Sequence, residues 1–199
     1  MGHAADMTTE PDLLDAARAP VDFRAPVPPA GADAADRRID HLDTPIGCIR
    51  LFARDGALCG LHIAGAADDE PPGAWRPAAG RLDAARRELD EYFAGTRRTF
   101  TVPLDLAGTP FQREVWRALT EIPYGATASY GELARAVGRP GAARAVGAAN
   151  RRNPVAVIVP CHRVIGAGGG LTGYGLGLPR KAWLLDHERN HGDAPPLFP

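Results

Sequence analysis

The run Pro160-Cys161-His162-Arg163 holds the residue types of a nucleophilic site. Cysteine attacks as its thiolate, and a histidine and an arginine beside it favour that form. Neighbours in an extended chain point opposite ways, so His162 could act on the thiol as a base only through a turn or a bridging water. An inert buried cysteine would leave the same tetrapeptide. Lys181 is the only lysine in a chain with 22 arginines, and it suits a compact donor in a tight site where a planar guanidinium would not fit. The glycine-rich stretch GAGGGLTGYGLG (166–177) lacks the Gly-Lys-Ser/Thr ending of a phosphate-binding loop. It reads as a loop beside the cysteine, with Tyr174 offering an aromatic face, or as plain flexible chain.

Those residues need elements to position them. The apolar run Val155 to Val159 predicts a short buried strand that delivers Cys161 at its end. Upstream, Thr109-Pro110-Phe111-Gln112 is a capping box with proline in the first turn, and Phe111, Val115, Trp116, Leu119 and Ile122 form the apolar side of the helix it opens. A second capping box, Ser129 with Glu132, starts a helix that stops at Gly138, and a third helix follows over roughly Gly141 to Asn150. Two helices across a short Gly/Pro turn make either a helix-turn-helix or an ordinary helical hairpin. The third helix, GAARAVGAAN, has almost no side chain long enough to read base edges in a major groove. Its smooth face and single long cation, Arg144, suit a minor groove and weak sequence preference, or else tight packing in the interior. A terminal helix carries Trp183, Leu184 and Leu185, with Glu188 one turn on.

The first half of the chain carries no chemical motif. Residues 1–38, rich in Ala, Pro and Asp without apolar period, read as a mostly disordered extension. Residues 39–107 read as a small α/β domain: two β-like segments around Asp55-Gly56, a polar loop DDEPPG, a helix with Leu82, Ala85, Leu89, Tyr92 and Phe93 on one face, and an alternating strand Phe100, Val102, Leu104, Leu106. Residues 108–191 form the second, mainly helical domain, and 192–199 a tail. The net charge of −1 averages unlike halves: residues 1–107 hold 12 Arg against 18 acidic residues, whereas 108–191 hold 11 basic against 5 acidic ones. The second half thus has the sign for phosphate contact, as a solvated basic face also would. Three cysteines at unpaired spacings read as free thiols, and the absence of a long apolar run or signal pattern places the protein in the cytoplasm, off the membrane.

Taken together, FQREVWRALTEIPYGATASYGELARAVG, ARAVGAANRRNP, IVPCHRVIG and LTGYGLGLPRKAWLLDHE resemble the O6-alkylguanine-DNA alkyltransferases, over about residues 108–190 strongly and from Ile39 more weakly. The resemblance implies a ribonuclease H-like small sheet with a helix, followed by a winged-helix or helix-turn-helix DNA-binding domain. It implies one irreversible transfer of an alkyl group from O6 of guanine, and in some cases O4 of thymine, to Cys161. His162 would take the thiol proton through a water, Glu188 would orient the imidazole, and Asn153 would hold the reactive turn. Tyr130 would donate to the leaving guanine, while Lys181 and the amides near Tyr174 and Gly175 would bind its oxygen. Pro160 and Trp116 would complete the pocket. Arg144 would fill the space of the flipped nucleotide, with Ala143, Ala145, Gly147, Tyr130 and Arg151 along the DNA. The partner implied is double-stranded DNA, met through its minor groove by a monomer, with no metal and no cofactor.

Three departures bear on this. Gly175 stands where some members have Ser, Leu176 where many have Gly, and Arg152 where a small residue is common; a bulky Leu176 at the rim would exclude large alkyl groups. Cys59 lacks the partners of a structural zinc site. Other readings are a lesion sensor on the same scaffold, against which Cys161 argues; a sequence-specific regulator, against which the Ala/Gly helix argues; and a papain-like hydrolase, against which the adjacent histidine argues.

Overall fold

The computed structural model describes residues 36–63 and 74–192. Most of the expected N-terminal extension, the DDEPPG loop and nearly all of the C-terminal tail lie outside the described residues. The first strand already begins at Arg37, ahead of the boundary expected at Ile39.

Strands β1 (Arg37–Thr44), β2 (Gly47–Arg54) and β3 (Ala57–Ile63) form an antiparallel meander, and the two-residue β4 (Arg76–Pro77) adds to β1 in parallel, giving the order β3-β2-β1-β4. The β2–β3 hairpin turns where expected: Asp55 and Gly56 both take positive φ, 49° and 78°, the geometry that a two-residue turn between right-twisted strands requires. Ile49, Leu51 and Ala53 face the core, against which helix α1 (Asp83–Phe93) lays Ala85, Leu89 and Tyr92.

The expected strand over residues 100–106 does not form. Phe100, Val102, Leu104 and Leu106 are all buried, but only a single bridge, Leu58 to Leu104, joins the segment to β3. Pro103 offers no N–H, so the ladder cannot extend; its carbonyl accepts from Leu58 and the Asp105 amide donates back.

The second domain opens with helix α2 (Pro110–Thr120), with both capping-box hydrogen bonds made between Thr109 and Gln112. Gly108 precedes it because a Cβ there would stand 2.6 Å from the Trp116 ring. Helix α3 (Tyr130–Ala136) is boxed by Ser129 and Glu132, and α4 (Ala143–Arg151) crosses it. Helix α4 starts two residues later than the pattern suggested, since Gly141 belongs to the turn with φ 91°. A minimal parallel ladder, β5 (Ala128–Ser129) with β6 (Val164–Ile165), and the long helix α5 (Leu178–His191) complete the unit. A small sheet domain is thus followed by a helical domain, and among the described residues no helix is long and apolar enough to cross a membrane.

Candidate active site and nucleic-acid face

The strand expected over Val155 to Val159 is instead a buried, compact turn, in which Val157 takes φ 75°. Asn153 explains it. Its Nδ2 donates to the Val159 carbonyl at 2.7 Å and its Oδ1 accepts from the Val155 amide at 3.1 Å, so one carboxamide clamps both ends. Five apolar side chains can all be buried on such a turn because the core surrounds it, a possibility that periodicity alone does not separate from a strand.

The clamp delivers Pro160, itself buried, into a single 3-10 turn over Cys161–Arg163. That turn resolves the geometric difficulty with adjacent residues. Cys161 is 5% exposed, with Asn153, Lys181 and Tyr174 around its sulfur, while His162 is fully buried and directed to Glu188 on α5. Arg163 does not attend the thiol, contrary to the sequence reading. Its guanidinium forks onto Glu188, Nε to Oε2 at 2.8 Å and Nη2 to Oε1 at 2.9 Å, and donates to the Ile122 carbonyl at 2.6 Å. With that cation spent elsewhere, burial dominates and pushes the Cys161 thiol up to about 11, against the opposing pull of the Asn153 hydrogen bond and Lys181. The resting group is a thiol, not the thiolate that the flanking sequence suggested.

Glu188 is wholly inside the protein and far from the surface charge its sequence context would equally have allowed. Besides Arg163 it accepts from His162 Nε2 at 2.8 Å, the Tyr92 hydroxyl at 2.8 Å and the Gly125 amide at 3.0 Å. Burial alone would raise its pKa, but Arg163, then His162, outweigh that and hold the carboxyl well below its ordinary range. An ionised carboxylate only accepts, so His162 Nε2 must be the protonated nitrogen. His162 Nδ1 is then a lone pair, buried and without a partner among the described protein groups. Burial lowers the imidazole pKa against the pull of Glu188, so the ring is neutral and able to accept a proton.

Lys181 is 0% exposed and donates to the Val164 carbonyl at 2.5 Å and the Thr172 carbonyl at 3.0 Å, which leaves one N–H of its three. Burial lowers its pKa, partly offset by Cys161. The Tyr174 hydroxyl is buried next to the thiol, and its pKa is driven up by burial and then by the neighbouring sulfur. Gly175 is exposed on the same loop, and Leu176 packs half-buried against the core, its carbonyl held by Arg180 at 3.0 Å.

On the outer side of α4 an open groove of about 700 Å³ runs past Tyr130, Ala143, Arg144, Gly147, Arg151 and Gly173. Arg144 and Ala145 are exposed, and Arg152 also lines the groove. Tyr130 stands at the helix junction, its hydroxyl 3.3 Å from the Thr172 hydroxyl. The groove wall therefore combines the smooth helix with the loop that screens Cys161. The inner face of α4 buries Val146, Ala149 and Asn150, and Asn150 Nδ2 donates to the Cys161 carbonyl at 3.4 Å. Trp116 is misplaced by the sequence reading: it is 1% exposed between α2 and α4, and its Nε1 donates to the Ala149 carbonyl at 2.9 Å, so it braces the helix instead of lining a pocket. Arg163, Tyr92, Gly125 and Asn150 were not foreseen as site residues; only Arg163 carried a signal, its adjacency to His162.

Residues 39–106 match the family described as "6-O-methylguanine DNA methyltransferase, ribonuclease-like domain", and residues 110–190 match "6-O-methylguanine DNA methyltransferase, DNA binding domain". A methylated-DNA--protein-cysteine methyltransferase of Mycolicibacterium paratuberculosis is 51% identical over 77% of this chain and 93% of its own length. One of the same name from Methanosarcina acetivorans is 49% identical over 74% of this chain and 95% of its own length. Among solved structures, the Mycobacterium tuberculosis O6-methylguanine methyltransferase superposes with a TM-score of 0.71 at 46% identity, covering 80% of this chain and 96% of that one. The M. tuberculosis protein in complex with DNA gives 0.73 at 48% identity, covering 79% and 96%.

Proposed function

The chain belongs to the 6-O-methylguanine DNA methyltransferase family, whose members repair DNA by alkyl transfer to a protein cysteine, and we propose that Cys161 is the acceptor and His162 its base. The observation that carries this is the buried His162–Glu188 pair, with His162 in the same turn as buried Cys161 and its Nδ1 left without a partner among the described protein groups, on a domain whose α4 lines an open groove.

The thiol proton passes through a water to His162 Nδ1, the only ring position with a free lone pair. Sulfur attacks the alkyl carbon in line, the S–C bond forms, and the C–O6 bond breaks with its electron pair going to guanine. The imidazolium that forms lies 2.8 Å from the Glu188 carboxylate, which stabilises it. Tyr130 at the groove and the remaining Lys181 N–H donate to the departing base, and the proton lost from sulfur is balanced by the one guanine regains. A thioether has no good leaving group, so each molecule turns over once.

DNA meets α4 through its minor groove with little regard to sequence. Arg144 occupies the gap left by the flipped nucleotide, Ala143, Ala145 and Gly147 let the backbone approach, and Arg151 neutralises phosphate. A monomer in the cytoplasm suffices for a reaction that consumes its own nucleophile. Mass spectrometry after incubation with a duplex bearing one O6-methylguanine tests this. The expected result is one methyl on the Cys161 peptide, saturating at one per protein and absent from Cys161→Ala; tight binding without mass change would make the protein a lesion sensor instead.

A further inference from the structure

The sheet domain contributes one side chain to the His162–Glu188 pair. Tyr92 lies in the last turn of α1, is 0% exposed, and places its hydroxyl 2.8 Å from Glu188 Oε1, the same oxygen that holds His162 Nε2. The ring is fixed by aromatic contacts with Phe93, Phe100 and Tyr124, and the Tyr92 carbonyl accepts from His187 Nε2 at 2.7 Å, so the hydroxyl cannot swing away. A phenylalanine would satisfy the packing alone.

We infer that Tyr92 is a positioning residue through which the N-terminal domain sets the orientation and strength of the Glu188–His162 pair. This rests on the reading of His162 as the base. Glu188 Oε1 takes three donors, Tyr92, His162 and Arg163, and each draws on the same negative charge. Around the pair stand Arg163 on the reactive turn, Tyr124 and the Gly125 amide from the loop after α2, Tyr174 and Cys161 at the pocket, and Lys181 on α5. None of these comes from the sheet domain, whereas Tyr92 does. Removing its hydroxyl leaves more carboxylate charge facing the imidazole, which favours the imidazolium. His162 then protonates at higher pH, and the base is lost under mildly acidic conditions where the native protein still works.

The test is the single-turnover alkyl-transfer rate constant at saturating duplex, measured from pH 5 to 8 for the full chain, Tyr92→Phe and Leu89→Ala. Leu89 is a buried neighbour on α1 with no polar reach, and it reports what loosening the helix does by itself. The expected result for Tyr92→Phe is a midpoint of the acidic limb raised by about half to one pH unit, so that the rate near pH 5.5 falls relative to that at pH 8 by up to about tenfold more than in the native protein, with DNA affinity unchanged. Leu89→Ala should lower thermal stability and leave the midpoint in place. An unmoved midpoint in Tyr92→Phe, or an equal shift in Leu89→Ala, overturns the role of Tyr92. A native profile with no acidic limb, or full activity in His162→Ala, overturns the base assignment itself and is distinguishable from the first failure.

Discussion

Replacing Glu188 by glutamine removes one charge at nearly constant volume, and the structure says what must follow. Glu188 serves five donors: two from Arg163 and one each from His162, Tyr92 and Gly125. A carboxamide cannot accept all five, and its NH2 group faces a donor wherever it is turned. The buried Arg163 guanidinium, 7% exposed at its side chain, is left without its counter-charge. Breaking a buried pair from one side costs about 3–5 kcal/mol, which for a chain of this size corresponds to a fall in melting temperature of roughly 6–20 °C. The pH dependence has a definite sign. The native Glu188 pKa is depressed below the ordinary 4.5, so its contribution is complete above that value and is lost as pH falls through the lower native pKa. The stability gap between native protein and Glu188→Gln should therefore be full at pH 7 and narrow only below about pH 4.5. Without the carboxylate the imidazolium loses its partner, and the rate constant should drop by about two to four orders of magnitude. Rapid-quench single-turnover assays and thermal melts at neutral and acidic pH measure both. A variant that melts unchanged, or that transfers methyl at the native rate, would refute the argument.

Trp116→Phe should cost about 0.5–1.5 kcal/mol by removing one of two hydrogen bonds to the Ala149 carbonyl, which still accepts from the Arg152 amide, and it should leave the ratio of methyl to benzyl transfer rates untouched; a changed ratio would return Trp116 to the pocket wall. Arg144→Ala should keep the native melting temperature, because the side chain is exposed, while weakening transfer at low duplex concentration alike for different flanking sequences. Without DNA, Cys161 should react with iodoacetamide at pH 8 more slowly than an unhindered thiol, since burial pushes its pKa up to about 11; rapid labelling in peptide maps would show a thiolate at rest.

What could be read in the chain followed from local chemistry. Capping boxes at Thr109 and Ser129 set two helix starts, and Asp55-Gly56 set a hairpin, because each depends on a few neighbouring residues. The two strand expectations that failed share one cause. At 100–106 and 155–159 the apolar pattern reported burial correctly, but a strand also needs a partner for its backbone, and Pro103 in one case and the Asn153 clamp in the other removed it. Sequence adjacency makes Arg163 a neighbour of the thiol, but adjacency along the chain says nothing of where a long side chain folds. In the folded chain its true partner is 25 residues away on α5. Tyr92 was legible as an apolar helix position, yet its hydroxyl meets Glu188 across 96 residues, which no periodicity encodes.

That rearrangement of charge bears on how such a site avoids wasting itself. A thiolate exposed at rest would react with any passing electrophile, a costly error for a protein that turns over once. Here Arg163, the cation nearest in sequence, is turned away from sulfur and neutralised by Glu188, and Cys161 remains a buried thiol. In the proposed mechanism the capacity to deprotonate is held one residue away, in the lone pair of His162, whose positive charge would meet the Glu188 carboxylate. With the thiol pKa pushed up to about 11, proton transfer in that mechanism would be driven by the bond that sulfur forms to the alkyl carbon. On that mechanism selectivity for damaged DNA would come from the order of events, substrate first and thiolate second, as much as from the shape of the groove.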